Sequence, residues 1–330
     1  MKAVADHNHR DISILQRDVW MAKRRISPFV QETPLIYSET LSEQYQTAIY
    51  LKLEQLNRSG SFKIRGAANK ILSLTDLEKE KGIATFSTGN FARSVAYVSN
   101  QLGIKAVICI SNRVPSVKTA ALEQMGVEVV KVGMSQDDAE AHCYRLEKEY
   151  GLTVIHPFDD PHVIAGQGTI GLEVLEQLPD VDTVIAGLSG GGLHSGLGVA
   201  LKSAMEHTLK LIGVSTEQGA AMYESISAKK PVKVNENDTL ADSLLGGIGM
   251  DNRYTFKMVQ RYVDQLVLVN EQDIADGMRH MFQHERMIVE GAAAAGIGAL
   301  KHQKITLGGQ VVFVITGDSV NTEIIESLLQ

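Results

Sequence analysis

The chain has 330 residues, a formal charge of −7 and 44% apolar residues. This length suits two lobes sharing a cleft, and the composition is that of an ordinary soluble globular protein. With both charge signs interspersed, no basic stripe and no long apolar run, nucleic acid is excluded as a partner and a membrane span is excluded as an element. The first 17 residues are polar and charged, without the apolar core of a signal peptide. Cys109 lies inside an apolar run and reads as a buried reduced thiol. Cys143 is distant in sequence, so no metal motif or disulfide framework is implied, and a reducing cytoplasm is expected.

In chain order, residues 11–26 place Leu15, Val19, Ala22 and Ile26 at helical spacing and stop short of Pro28. Short apolar runs follow at 48–53, 82–86, 105–110, 128–132, 153–156, 183–187, 210–214, 265–269 and 311–315, most of them rich in Val and Ile. Those between 82 and 214 are nearly continuous in apolar character, as strands covered on both faces are. Helical periodicity occupies 65–72, 90–102, 118–125, 136–150, 168–177 and 193–204. The alternation predicts an α/β fold with parallel sheets. A stretch at 85–160 reads as a small mobile αβ domain inserted between 1–84 and 161–330, which form the larger one.

Four small-residue segments carry the chemistry. Ser59-Gly60-Ser61-Phe62-Lys63 places a lysine at a helix start beside a bulky apolar residue. The helix dipole and desolvation there would lower its pKa, and a neutral amine condenses with aldehydes. An exposed surface lysine is the ordinary alternative. Ser87-Thr88-Gly89-Asn90 ends a strand with two hydroxyls and an amide; Asn90 would cap the following helix or bond a ring hydroxyl. Ser189-Gly190-Gly191-Gly192-Leu193 frees backbone N–H groups at a helix start, which suits one phosphate. It is not a dinucleotide loop, because Ser195 stands where G-x-G-x-x-G needs its last glycine. Thr316 ends the last strand, where a neutral hydroxyl beside a pyridine nitrogen gives a weaker electron sink than a carboxylate would. Loops at the carboxyl ends of parallel strands build ligand sites in such sheets. Together they describe a pocket for a phosphorylated aldehyde, pyridoxal 5'-phosphate, held by Lys63. His156, His162 and His194 lack zinc spacing. Asp159, Asp160 and Glu173 read as surface or capping residues, and Glu290 as a buried pocket carboxylate or a helix charge.

The segments together resemble the fold-type II pyridoxal-phosphate enzymes, the threonine dehydratase and serine racemase family. The resemblance also draws on Lys52-Leu53-Glu54, His156-Pro157-Phe158-Asp159-Asp160 and Gly166-Gln167-Gly168-Thr169. It implies a two-lobed, tryptophan synthase β-like fold. It further implies that Lys63 attaches covalently to the cofactor and shuttles the α-proton, that Phe62 packs on the ring and that Asn90 bonds its 3-hydroxyl. Ser189 through Leu193 would hold phosphate, Thr316 would face the ring nitrogen, and Ser87, Thr88, Gly89 and Asn90 would take the substrate carboxylate. Thr88 is a candidate base on the opposite face. Departures include Phe91, Arg93 and Ser189, and also Asp318, which could lie near the ring nitrogen. Glu217 is present, but Tyr223 replaces the aspartate of members with a divalent-cation site, so no metal is expected. Residues 240–253 and Ile288-Val289-Glu290-Gly291 look like a subgroup of hydroxyectoine utilization dehydratases. The expected activity is elimination of water and ammonia from a small β-hydroxy amino acid or related compound by a homodimer. An amino-acid racemase, a hydroxyaspartate dehydratase and a non-catalytic binding protein are the alternatives.

Overall fold

The computed structural model describes residues 14–329 apart from 115, 206 and 207. The first three residues of the helix expected at 11–26 lie outside the described residues. Helix α1 (Gln16–Ile26) leads to β1 (Leu35–Tyr37), α2 (Glu39–Tyr45), β2 (Ala48–Leu53), α3 (Lys63–Leu72) and α4 (Asp76–Lys81). Then come β3 (Ile83–Thr85), α5 (Asn90–Leu102), β4 (Ala106–Ile110), α6 (Ser116–Gln124), β5 (Glu128–Lys131), α7 (Gln136–Tyr150) and β6 (Thr153–Val154). The remainder is α8 (Pro161–Gln177), β7 (Thr183–Gly187), α9 (Gly192–Met205), β8 (Lys210–Thr216), α10 (Ala221–Ala228), α11 (Thr255–Tyr262), β9 (Gln265–Val269), α12 (Glu271–Gln283), α13 (Gly291–Lys301), β10 (Gln310–Ile315) and α14 (Thr322–Leu329).

The strands form a six-stranded sheet, β1-β2-β10-β7-β8-β9, and a four-stranded sheet, β5-β4-β3-β6. Every pairing is parallel except that of β1 with β2. Both faces of the larger sheet are covered, which the strands' alternation makes visible. Val311, Phe313, Ile315 and Ile185 pack with α12 and α13, while Val312, Val314, Val184 and Ala186 pack with α8 and α9. In the smaller sheet Ile83, Ile108 and Ile110 face α3 and α5, and Ala84, Val107 and Cys109 face α7. Cys143 on α7 lies in that second cluster, so the two thiols, distant in sequence, meet inside one buried layer.

Local chemistry starts several helices. Asp160 accepts from the N–H groups of His162 (2.8 Å) and Val163 (3.1 Å), with Pro161 opening α8. Ser135 with Asp138 and Asn270 with Asp273 form capping boxes on α7 and α12. Among the described residues no helix is long and apolar enough to cross a membrane.

Candidate active site

Strands from both sheets end at the same place. β10 runs between β2 and β7 and opens onto Thr316, β7 opens onto Ser189, and β3 of the smaller sheet ends just before the 87–90 loop. The Phe62 N–H donates to the Thr316 carbonyl at 3.0 Å, and Ser61 bridges to Gly317. These contacts tie the first residue of α3, Lys63, to the end of β10. The segments close around a cavity of about 170 Å³ whose walls include Phe62, Lys63, Ser87, Thr88, Gly89, Asn90, Ser189, Gly190, Gly191, Gly192, Leu193 and Thr316. All the site residues singled out in the sequence therefore share one pocket.

Lys63 points into this cavity. Its Nζ lies 5.0 Å from the centre of the Phe62 ring, and it forms no ion pair among the described residues. Burial lowers its pKa to about 8, opposed in part by the field of Glu290. The loop after β7 is fixed to glycine by shape. Gly191 has a φ of +85°, and a Cβ there would lie 2.8 Å from Met222 Cε and from Val259 Cγ2. A Cβ on Gly190 would lie 2.5 Å from the Phe158 ring. Among the described residues no acceptor is found for the N–H groups of Gly190, Gly191 and Gly192, which leaves them for an anion at the start of α9. Ser189 Oγ donates instead to the Leu245 carbonyl at 3.2 Å and fastens the loop from behind.

Asn90 is the first residue of α5, with Gly89 in the cap position, so its side chain does not cap the helix. Its Nδ2 donates to Glu290 at 3.0 Å (Oε1) and 2.8 Å (Oε2), and its Oδ1 is buried without a partner. Glu290 is thus the pocket carboxylate of the two readings its sequence allowed. It stands before α13, 3% exposed, and burial pushes its pKa up to about 7. Burial acts the other way on two imidazoles, lowering His194, which lines the cavity, and His156, which packs on Phe158, to about 4.

Two readings from the sequence are corrected. Asp318 does not line the cavity. Its carboxylate packs over Gly60 on the side of Arg93, and Thr316 faces the pocket at the end of β10. Glu173 is neither a surface nor a capping residue: it is buried among Arg65 and Lys52, at 2.5 and 2.6 Å. Asp159, by contrast, is a capping residue as its sequence suggested, for a helix distant in the chain: it accepts from the N–H groups of Arg253 (2.7 Å), Tyr254 (2.9 Å) and Thr255 (2.9 Å) at the start of α11. Beside Glu217 stands the ammonium of Lys304, 4.0 Å from it and 2.6 Å from Asp273; no cluster of three metal-ligating side chains occurs among the described residues. The sequence reading missed Phe158 and residues 242–247 as walls of the pocket. Both lie in segments that the resemblance drew on, 156–160 and 240–253, but only the crossing of distant loops makes them walls of the pocket.

Residues 26–317 match the model of the family described as pyridoxal-phosphate dependent enzymes. The chain belongs to that family. A Sinorhizobium fredii protein, provisionally named a threonine dehydratase, is 47% identical over 301 residues, 91% of this chain and 90% of that one. The L-threonine ammonia-lyase of Thermotoga maritima is 39% identical over 316 residues, 96% of this chain and 78% of its own. The structure of maize serine racemase superposes with a TM-score of 0.88 at 29% identity, covering 96% of each chain. The resemblance drawn from the motifs, the two-sheet fold-type II architecture and the pyridoxal-phosphate cofactor are all borne out. The donor set fits this cofactor: a desolvated amine with no ion pair, an N–H cradle of three glycines, and a buried Asn90 oxygen awaiting a donor.

Proposed function

We propose that the chain is a lyase that eliminates water from a small β-hydroxy amino acid, the released enamine then taking up water to give a keto acid and ammonia. The observation that carries this is Lys63, a desolvated amine facing a cavity that also contains an anion cradle and a hydroxyl loop. The names of the relatives at 47% and 39% identity point the same way.

Bound pyridoxal phosphate supplies an aldehyde for the substrate amine and a ring that withdraws electrons from the α-carbon. The N–H groups of Gly190–Gly192 would hold its phosphate, and Phe62 and Asn90 would fix its ring. Ser87, Thr88 and Gly89 offer two hydroxyls and a helix-start N–H to the substrate carboxylate. Lys63 Nζ, with its lowered pKa, takes the α-proton, and its place at the rigid start of α3 supplies proximity. Thr316, at the end of β10, would offer the ring nitrogen a neutral hydroxyl, which favours loss of the β-hydroxyl as water. Phe158, packed on Gly190 and Gly192, closes the cradle from water.

Compounds derived from hydroxyectoine are the finer substrate class. Its support is the subgroup-like segment 240–253, of which residues 242–247 form a wall of the cavity. Racemisation is the second reading, favoured by Thr88 in the pocket and by the serine racemase fold match. A cytoplasmic homodimer completes the proposal, on the general frequency of twofold assemblies.

The test is reconstitution with pyridoxal phosphate, borohydride reduction and peptide mapping, followed by keto-acid release assays. Serine, threonine, hydroxyaspartate and hydroxyectoine-derived amino acids are the substrates to compare. Label on Lys63 with turnover of one of them is expected. A coloured protein that releases no keto acid from any of them overturns the lyase reading. Thr88→Ala separates the activities: it abolishes racemisation and spares elimination if Thr88 is the opposite-face base.

A further inference from the structure

The cavity wall at residues 242–247 ends in two adjacent glycines of different kinds. Gly246 has a φ of +112°, a conformation that glycine alone adopts readily. Gly247 is under no such backbone demand, and a Cβ built on it would meet no atom within 4 Å. Packing therefore does not explain its missing side chain. The chain on either side of it is fixed: the Leu245 carbonyl accepts from Ser189 Oγ at 3.2 Å, and the Ile248 carbonyl accepts from Asn252 Nδ2 at 2.8 Å. Gly247 is a standing gap in the wall, and it borders both the catalytic cavity and the groove that runs between α7 and residues 232–252. Phe158 and Gln136, the first residue of α7, border both spaces as well. The Gln136 side chain makes no hydrogen bond among the described residues. The neck between cavity and groove is thus an open gap faced by an aromatic ring and an uncommitted amide.

Beyond the neck stands Glu140 of α7, half-buried. Among the described residues the one basic group within 4 Å of its carboxylate is His156 Nε2, at 3.9 Å, and burial keeps that imidazole neutral near pH 7. The cations of the groove are placed differently. Lys233 is paired with Asp137 at 2.9 Å on the rim, and Arg113 is exposed to water. A half-buried carboxylate loses more by standing unpaired than a hydrated guanidinium does. The groove consequently offers more to an ammonium group than to an anion.

We propose that Gly247 is a specificity-determining residue: its gap admits the side chain of a β-hydroxy amino acid longer than threonine and ending in an amine, which Glu140 receives in the groove. The inference rests on the lyase reading of the cavity and names its substrate class. With the substrate carboxylate at Ser87–Gly89 and its α-carbon at Lys63, the substituent on the β-carbon is the part free to extend. Phe158 covers its methylene groups, and Gln136 offers a donor and an acceptor on the way. Serine and threonine carry no amine to place in the groove, so Glu140 adds nothing to their binding.

The test compares kcat/KM for serine, threonine and 3-hydroxyornithine in the reconstituted wild type, Gly247→Leu and Glu140→Gln. Wild type is expected to prefer 3-hydroxyornithine to threonine by tenfold or more. Gly247→Leu fills the gap from a position where a side chain meets no protein atom, and is expected to lower that preference at least tenfold, chiefly through KM. Glu140→Gln is expected to lower it threefold or more. A wild type that prefers threonine, or a preference that survives either substitution, overturns the proposal. Gly247→Ser, a smaller intrusion, replaces the leucine variant if that one does not fold. Absence of keto acid from every substrate is instead the failure of the lyase reading. The passage is then decided by the shift of the cofactor band on mixing, which needs binding and no elimination: tighter binding of 3-hydroxyornithine than of threonine, lost in Gly247→Leu, upholds it, and equal binding overturns it.

Discussion

At the scale of single residues, Lys63 sets stability against chemistry. In the unfolded chain its amine titrates near the ordinary lysine value of 10.5, and in the folded protein without cofactor at about 8. Between those values the unfolded state holds the extra proton, so stability rises with pH there; below about pH 8 the full penalty of charging the buried amine is present. The shift corresponds to about 3 kcal/mol at most. Lys63→Met is therefore expected to raise the cofactor-free protein's denaturation midpoint at pH 7 while lowering turnover by roughly 10³-fold or more. Urea unfolding at pH 7 and pH 10 checks the first part: the variant's advantage should shrink at the higher pH. A variant less stable than wild type at pH 7 would mean that the amine is better solvated than its burial implies. Gly191 makes a second residue-level prediction. Its φ of +85° and the 2.8 Å approach of Met222 and Val259 leave no room for a methyl group. Gly191→Ala is expected to weaken pyridoxal-phosphate binding by tenfold or more, about 1.4 kcal/mol, with the loss seen in equilibrium titration of the visible band.

At the scale of elements, the start of α3 is held by a buried ionic network. Arg65 donates to Glu54 at 2.7 and 2.8 Å and to Glu173 at 2.5 and 2.8 Å, while Lys52 donates to Glu173 at 2.6 Å and to the Thr33 carbonyl at 2.7 Å. Two cations and two anions, all at most 3% exposed, join β2, α3 and α8 two residues from Lys63. Removing one partner strands an opposite charge, so Arg65→Met is expected to cost about 3–5 kcal/mol in chemical denaturation. A loss below about 1 kcal/mol would show that the network relaxes into water. The motifs Lys52-Leu53-Glu54 and Lys63-Ile64-Arg65 were visible in the sequence, but their pairing with Glu173 was not, because that partner arrives from α8, far along the chain. The same limit recurs elsewhere. β2, β7 and β9 were legible to the residue because each is a short run rich in Ile, Leu or Val, although β9 is an edge strand whose residues alternate between buried and half-buried. β5 was read as a strand covered on both faces, yet it is an edge strand with exposed ends. β1 was missed because three antiparallel residues carry no measurable alternation. α13 was missed because a helix of Ala and Gly buried all round has no polar face to give it a period. The pocket's lysine and glycines stood out because their chemistry is local. The Glu290–Asn90 contact spans the two sheets, and no spacing in the sequence encodes it.

At the scale of the whole molecule, the cavity continues into a groove of about 730 Å³ between α7 and residues 232–252, with Gln136, Phe158 and Gly247 on both walls. One side of this groove belongs to the smaller sheet and its helices, the other to the larger. Across it the Lys233 ammonium meets Asp137 at 2.9 Å, with both side chains 75% exposed. An ion pair so open to water contributes at most about 1 kcal/mol and is screened by salt, so it can guide the two walls together without locking them. We expect the segment 85–160 to close over the cavity when substrate is bound, with α7 and residues 242–252 as the meeting surfaces. Hydrogen exchange on the holoenzyme should then slow in 136–150 and 242–252 when a slowly turned-over amino acid is added, while β7 and β10, already buried on both faces, stay unchanged. Asp137→Ala should leave that protection in place and alter kcat/KM by less than about fivefold, since it removes only the screened contact. Equal exchange with and without the amino acid would mean that the groove is a standing entrance, and that the Phe158 wall alone keeps water from the reacting atoms.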